Sequence, residues 1–348
     1  MKTNRRERLE NGMLRRRRPK ASFRTTLLLS LCSIIGPLIV FSSTSARPMS
    51  GLSPLIGPSL RAASQNQPRA VKDDLGHPWR LGPPPARIVS LAPNVTEILF
   101  ALGLGDRIVG VTRYCDYPPE AARVEKVGGL IDPSIERVGA LEPDLVLAFR
   151  GNPVRLLEKM RNVGLPVFSL EPGLTLESLL ATIGTIGLVT GREEAARALT
   201  GELAARIAAA EAEIAGVAEK PKVFLKLQGQ GLWTCGRESY LDALIQRAGA
   251  VNIAGGIAKK WVLLGREEIL HRDPDIILIL AKSREDFDQT AGWFKAEPHL
   301  KYLQSVAGGR IAWLDENKAS RFGPRLVETY QELVRILHPG LADAEAKR

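Results

Sequence analysis

RIVSLAPNVTEILFALGLGDRIVGV, residues 87–111, is the stretch that decides the fold. Its apolar, β-branched start at residues 88–91 predicts a buried strand, which a proline and an asparagine end. From Thr96 the apolar residues recur at helical spacing until two glycines end the helix, and a second strand follows at 107–111. Strand, helix and strand in such a short span form a parallel α/β unit. Functional loops are expected at the carboxyl ends of its strands, at residues 90–94 and 112–117.

The net charge of +10 lies almost entirely at the N-terminus. Residues 2–24 hold ten lysines and arginines against two glutamates, and the remaining chain is close to neutral. The folded body therefore offers no basic surface of the kind that binds nucleic acid, and no nucleic-acid partner is expected.

The same N-terminal region has the pattern of an export signal. A basic segment precedes an apolar run at 27–41, and Thr44-Ser45-Ala46 offers a small-residue cleavage site. The run is short for a membrane-spanning helix, which needs about 20 residues. We expect an exported protein in the periplasm or at the outer face of the cytoplasmic membrane. An uncleaved N-terminal anchor and lipidation at Cys32 remain alternatives.

Cysteine and histidine are too scattered to predict a metal site. The four histidines show no metal-ligand spacing, so neither a metal ion nor a cofactor is predicted. Cys115 and Cys235 are expected to be unpaired, partly buried thiols, with a disulfide between them as the alternative.

The remaining chain divides into segments of different composition. Residues 1–46 are the signal peptide or anchor, and residues 47–86 are a Pro-, Ser- and Gly-rich linker with a possible edge hairpin at 71–81. An N-terminal α/β lobe spans 87–175, a helical segment spans 176–220, a C-terminal α/β lobe spans 221–340, and a tail follows at 341–348. The helical segment includes an Ala- and Glu-rich stretch at 193–218, which predicts one long helix between the lobes.

An internal repeat relates the two lobes. Glu136 stands seven residues before Pro143 and the strand LVLAF, and Glu267 stands seven residues before Pro274 and the strand IILIL. Each glutamate therefore lies near a comparable helix start, one in each lobe. Two similar lobes joined by a long helix predict a clamshell that holds a ligand in the seam, and a duplication without an interlobe site is the alternative.

Four motifs carry a resemblance to a known family: RIVSLAPNVTE at 87–97, VGVTRYCDYPP at 109–119, IERVGALEPDLV at 135–146 and GREEIL at 265–270. From about residue 87 to residue 337 the chain resembles the exported substrate-binding proteins of ABC importers for vitamin B12 and for Fe(III)-siderophores or haem. It is most similar to the cobalamin-binding branch. The resemblance implies the class III periplasmic-binding-protein fold, with two Rossmann-like α/β lobes, a long connecting helix and a ligand between the lobes.

The resemblance also implies a membrane partner, an ABC transporter permease with its separate ATPase. In this family each lobe presents a surface glutamate to arginines of the permease, and the matching residues are Glu136 and Glu267. Two carboxylates far apart on one rigid face fix the docking register more than they add affinity. A glutamate that serves only its own helix is the alternative for either position.

The same comparison suggests the ligand contacts. Tyr114 matches a ligand-contacting tyrosine of the cobalamin branch, and Phe149, Trp233 and Trp261 match positions that carry aromatic residues there. Aromatic faces suit the apolar edge of a corrin ring. Trp233 is expected in a Gly-rich turn.

Two positions depart from the cobalamin pattern: Leu130 replaces a tryptophan, and Asn317 replaces an aspartate. Both reduce the match to cobalamin itself, so a related corrinoid, haem or a ferric siderophore stays open. Arg150, Lys226 and Arg321 are candidate contacts for an anionic siderophore, or else solvated charges at the cleft rim.

The predicted function is therefore capture of a cobalamin-like corrinoid for an importer, without catalysis. A chelatase-like enzyme on the same scaffold is a weaker alternative, because the sequence offers no His–carboxylate pair and no nucleophile elbow. A sensor that binds a ligand without transport is the third hypothesis.

Overall fold

The computed structural model describes residues 70–149, 151–171 and 173–340. The predicted signal region, the linker up to residue 69, Arg150 and the tail at 341–348 lie outside the described residues.

A two-stranded hairpin opens the described chain. Its antiparallel strands are β1 (Ala70–Lys72) and β2 (Pro78–Arg80). The turn between them is fastened to the N-terminal lobe by the buried carboxylate of Asp73, which accepts hydrogen bonds from Arg161 Nη2 (2.6 Å) and the backbone N–H of Ser169 (3.1 Å). Trp79 packs edge-on against Phe168, with 5.7 Å between ring centroids. This end of the predicted linker is therefore part of the folded lobe.

The N-terminal lobe is built on a parallel four-stranded sheet. Its elements in chain order are β3 (Ile88–Ser90), α1 (Pro93–Ala101), β4 (Ile108–Val111), α2 (Ile135–Ala140), β5 (Leu145–Phe149), α3 (Val154–Asn162) and β6 (Val167–Leu170). The strand order is β4-β3-β5-β6. The two central strands, β3 and β5, are almost wholly apolar, as expected for a parallel sheet covered on both faces.

Helix α1 begins earlier than the sequence predicts. Its first residue is Pro93, whereas the apolar spacing predicts a start at Thr96. Proline is tolerated in the first helical turn because the N–H that it lacks has no partner there. The proline that ends the strand therefore also begins the helix.

Two helices follow the first sheet: α4 (Leu176–Thr190) and α5 (Glu193–Ile214). Gly191 separates them with a left-handed backbone (φ 67°) that favours glycine. Helix α5 is about 33 Å long, and it ends at Ile214 rather than at residue 218, just before Gly216. The two helices approach closely, since a Cβ at Gly187 would lie 2.3 Å from the Cβ of Ala196.

The C-terminal lobe has more elements than the sequence predicts. They are β7 (Lys222–Lys226), β8 (Leu232–Cys235), α6 (Tyr240–Arg247), β9 (Val251–Asn252), β10 (Trp261–Leu264), α7 (Arg266–Arg272), β11 (Ile276–Ala281), α8 (Arg284–Ala296), α9 (Gln304–Ala307), β12 (Ile311–Asp315), α10 (Glu316–Ala319) and α11 (Leu326–Leu337). Strands β12-β11-β7-β9 form a parallel sheet, and β8 and β10 form a separate antiparallel ribbon.

The internal repeat extends to the sheet topology. If the strands of each four-stranded sheet are numbered in chain order, both sheets have the order 2-1-3-4. The aspartates of the two Pro-Asp pairs play the same part, since Asp144 Oδ2 accepts from the N–H of Arg87 (2.9 Å) and Asp275 Oδ2 accepts from the N–H of Lys222 (2.7 Å). In each lobe the carboxylate thus anchors the residue at the start of the first sheet strand.

The lobes are not joined by loops alone. One continuous cluster of buried apolar side chains includes residues of the N-terminal lobe, of α4 and α5, and of α11 in the C-terminal lobe. Such a shared core restricts the relative motion of the lobes. Within the described residues no helix is both long and apolar enough to cross a bilayer.

Candidate ligand-binding cleft

A cavity of about 580 Å³ opens where the two sheets face each other. Its wall comes from the carboxyl ends of strands in both lobes, the usual place for a ligand in parallel α/β sheets. The N-terminal lobe contributes Ala92, Pro93, Asn94, Tyr114, Leu130, Phe149, Gly151, Gly173 and Leu174. The C-terminal lobe contributes Leu227, Gln228, Tyr240, Leu241, Lys260, Trp261, Leu280, Lys282, Glu316, Asn317, Ser320, Arg321 and Phe322.

Four of the six predicted ligand contacts lie together on this wall. Tyr114 follows β4 and is 53% exposed, Phe149 ends β5, and Trp261 begins β10 and is 40% exposed. Asn317 lies on α10, where its backbone N–H is capped by Asp315. Large rings so exposed in a concave wall are suited to contact a ligand rather than to fill the core.

Two predicted contacts are not among the lining residues. Arg150 lies outside the described residues. The expectation of a Gly-rich turn around Trp233 is wrong: this tryptophan belongs to β8, where it pairs with Leu263 of β10 and is 39% exposed. Lys226, a candidate for an anionic ligand, is buried and donates to the carbonyls of Leu227 and Gly229. Burial lowers the pKa of its ammonium.

The sequence did not reveal several residues of the cavity wall. Lys282 directly follows β11, so a strand-end position was the signal that could have found it. Glu316 precedes Asn317 on α10, a helix of four residues that leaves little periodicity to detect. Tyr240 donates from its hydroxyl to the carbonyl of Ala319 (2.7 Å), which ties α6 to this part of the wall.

An ion cluster fastens the two lobes beside the cavity. Glu97 of α1, whose side chain is 1% exposed, accepts from Arg325 Nε (3.0 Å) and Nη2 (2.5 Å) and from Arg321 Nη1 (3.3 Å). Asp116 accepts from the same Arg321 Nη1 (2.6 Å), and the Arg325 guanidinium lies 3.7 Å from the centre of the Tyr117 ring. Because Arg321 also lines the cavity, the cluster connects the interlobe contact with the ligand space.

Cys115 and Cys235 are free, buried thiols. Cys115 Sγ lies 3.1 Å from the hydroxyls of Thr96 and Thr112, so it supports the loop that carries Tyr114. Burial, with a smaller contribution from Asp242, raises the pKa of Cys235 to about 12. A thiol in that state is unreactive. In the described part of the chain no group of acidic, histidine and cysteine side chains is arranged to hold a metal ion.

The two predicted docking glutamates occupy equivalent positions. Glu136 is the second residue of α2 and Glu267 is the second residue of α7, and both are exposed. Neither has a cationic partner among the described residues. By contrast, Glu268 and Arg272, next to Glu267 on α7, form an ion pair with each other.

Local hydrogen bonds favour the ionised form of the Glu136 carboxyl. Its own backbone N–H and the hydroxyl of Ser134 (2.8 Å) lower the pKa of this carboxyl. Ser134 is also the N-cap of α2, accepting from the N–H of Arg137 (3.2 Å). The serine that signals the helix start thus also stabilises the charged form of the exposed side chain.

Comparison with known proteins shows which family this chain is similar to. Residues 88–317 match the family model described as periplasmic binding protein. The vitamin B12-binding protein of Pectobacterium atrosepticum is 32% identical over 272 residues, which cover 76% of this chain and 92% of that protein. An uncharacterized ABC transporter substrate-binding lipoprotein of Bacillus subtilis, YvrC, is 29% identical over 265 residues, covering 73% of this chain and 81% of that protein.

Solved structures agree with the same assignment. The periplasmic vitamin B12 binding protein BtuF of Vibrio cholerae superimposes with a TM-score of 0.66 at 25% identity, covering 74% of this chain and 98% of that chain. The periplasmic heme-binding protein RhuT of Roseiflexus, in apo form, superimposes with a TM-score of 0.66 at 28% identity, covering 75% of this chain and 100% of that chain. The predicted two-lobed fold is confirmed, and the chain belongs to the periplasmic binding protein family, the substrate-binding proteins of ABC transporters.

Proposed function

We propose that this exported protein captures a cobalamin-like corrinoid between its lobes and delivers it to an ABC transporter permease. The observation that carries the proposal is the cavity at the facing sheet ends, with aromatic side chains on both walls. Phe149 and Tyr114 on one wall and Trp261 on the other offer flat apolar surfaces to a large ring system. The names of several relatives support a corrinoid ligand.

Haem or a ferric siderophore is the second candidate ligand. The solved heme-binding relatives support it, and so do the cationic side chains of the C-terminal wall. Leu130, on the wall where the cobalamin branch carries tryptophan, removes one aromatic surface from the corrinoid hypothesis.

The proposed action needs no covalent step. Ligand binding between the lobes favours the conformation in which both walls contact it. Glu136 and Glu267 then bind arginines on the outer face of the permease, and the separate ATPase drives transport. The chelatase-like enzyme and the sensor are left as alternatives that turnover of a tetrapyrrole, or binding without uptake, would favour.

Tryptophan fluorescence of the purified protein tests the ligand. Cyanocobalamin, haemin and a ferric siderophore are titrated separately, and we expect saturable quenching by cyanocobalamin. Trp261→Phe should remove most of the quenching, whereas Trp233→Phe, on the paired strand β8 and not among the lining residues, should retain it. Saturable quenching by haemin or siderophore alone would select the second candidate, and quenching by none of the three would refute the proposal.

Uptake by whole cells tests the docking role. Glu136→Gln with Glu267→Gln should leave the ligand affinity unchanged and abolish uptake, because both ionic contacts with the permease are lost. Glu285→Gln is a matched control, since Glu285 is an exposed second residue of α8. Normal uptake by the double variant, or loss of its ligand binding, would contradict the docking role.

A further inference from the structure

The two walls of the cavity differ in charge. Among the described residues, the N-terminal wall contains no acidic or basic side chain. The C-terminal wall contains three basic residues, Lys260, Lys282 and Arg321, and one acidic residue, Glu316. Within the described part of the cavity a ligand therefore meets uncharged aromatic side chains on one side and more basic than acidic side chains on the other.

The Lys282 ammonium forms no hydrogen bond and no ion pair within 4 Å in the described part of the chain, although its charge acts on the nearby Glu316 carboxyl. It is exposed, it lines the cavity, and it directly follows β11 at the carboxyl end of the sheet. Its carbonyl accepts from Asn317 Nδ2 (3.5 Å), so its backbone is adjacent to α10 on the same wall. Because its backbone is held in place and its ammonium forms no hydrogen bond, this lysine can rotate its side chain toward a ligand group that enters the cavity.

Arg321 is held in place with hydrogen-bonding capacity left over. Its Nη1 donates to both Asp116 and Glu97, and its side chain is only 14% exposed. Its Nε and Nη2 have no acceptor among the described residues. Because the guanidinium is already ordered by two carboxylates, little conformational entropy is lost when those donors bind a ligand.

Glu316 is the one acidic side chain among the described residues of this wall. One of its carboxylate oxygens, Oε2, is buried without a hydrogen-bond partner in the described chain. Burial raises the pKa of this carboxyl, against the opposing effect of Lys282. The described part of this wall thus has one carboxylate beside three basic side chains, of which Arg321 is paired with Glu97 and Asp116.

We propose, on the basis of the proposed function, that the ligand carries an anionic group and binds with that group against Lys282 and Arg321. Its uncharged ring face then lies against Tyr114 and Phe149. A phosphate or carboxylate group accepts charge-assisted hydrogen bonds from both cations. The cleft is therefore specific for an amphipathic ring compound with one acidic edge, and Lys282 discriminates it from the neutral analogue.

Pairs of related ligands test this inference. Cyanocobalamin carries a phosphodiester that dicyanocobinamide lacks, and haemin carries two carboxylates that its dimethyl ester lacks. Lys282→Gln should weaken binding of the charged member by about fivefold in the dissociation constant, the size expected of an exposed ion pair. Binding of the uncharged member should change by less than about twofold. Lys282→Glu should weaken binding of the charged member further. Added salt should weaken binding of the charged member to the unaltered protein more than binding of the uncharged member.

Lys295→Gln is the control, since Lys295 is an exposed lysine on α8 that does not line the cavity. Circular dichroism checks that each variant is folded. Equal effects of Lys282→Gln on both members of a pair, or no effect on either, would overturn the inference while leaving the proposed function intact. No binding of any of the four compounds to the unaltered protein would refute the proposed function itself.

Discussion

Removing the charge of Glu97 should destabilise the folded protein strongly. Glu97→Gln keeps the size of the side chain, but it leaves the guanidinium of Arg325 without the carboxylate that accepts two of its donors. Breaking a buried ion pair on one side costs about 3–5 kcal/mol. Since Asp116 still neutralises Arg321, we expect a loss of about 3 kcal/mol in the free energy of unfolding.

Urea unfolding followed by circular dichroism measures this loss. Glu202→Gln is the control, because Glu202 forms an exposed ion pair with Arg206 (3.8 Å) on α5, and its loss should cost less than about 1 kcal/mol. A Glu97→Gln variant that loses less than about 1 kcal/mol would refute the conclusion that this buried cluster fastens the lobes.

Three further changes give independent tests. The hydrogen bond from Arg321 lowers the pKa of Asp116 below its ordinary value of 3.8, so the carboxylate stabilises the folded protein above that value and ceases to do so as the pH falls through the folded pKa. Asp116→Asn should therefore flatten the decline of the unfolding free energy at acid pH. An unchanged decline would contradict this. Asp73→Asn should release the N-terminal hairpin, because the buried carboxylate accepts four hydrogen bonds. Limited proteolysis should then cleave the chain within residues 70–86. Protection equal to that of the unaltered protein would refute this role of Asp73. Gly128→Ala should lower the free energy of unfolding by about 1–3 kcal/mol, measured by thermal unfolding, because the φ of Gly128 is 125° and a Cβ there would lie 2.6 Å from the Asp132 carbonyl oxygen. A smaller loss would show that this loop adjusts freely.

The sequence predicts the sheets better than it predicts the ribbon beside them. Apolar runs such as Leu145–Phe149 are continuous because both faces of a parallel sheet are covered, and they are found without knowledge of their neighbours. Strand β8 has four residues and begins directly after Gly231, whose φ of 81° belongs to a turn. So short a strand has too little alternation to separate it from a turn, and the sequence therefore places Trp233 in the turn rather than in β8.

The site depends more on contacts between distant residues than on local pattern. Glu97 and Arg325 are 228 positions apart, and nothing in either segment alone indicates that they meet. Lys226 shows the converse: it ends a strand of the expected kind, yet its side chain is satisfied by nearby carbonyls rather than facing the ligand. Tyr114, Phe149 and Trp261 could be proposed from the resemblance, but only the packing of the lobes brings the three onto one cavity.

Isothermal titration calorimetry with cyanocobalamin tests the central claim, capture of a corrinoid between the lobes, most directly. We expect a single site per chain, with affinity reduced at least about tenfold in Tyr114→Ala combined with Trp261→Ala, because these rings contribute contact from opposite walls. No measurable binding, or binding that the double variant retains at full strength, would contradict the account.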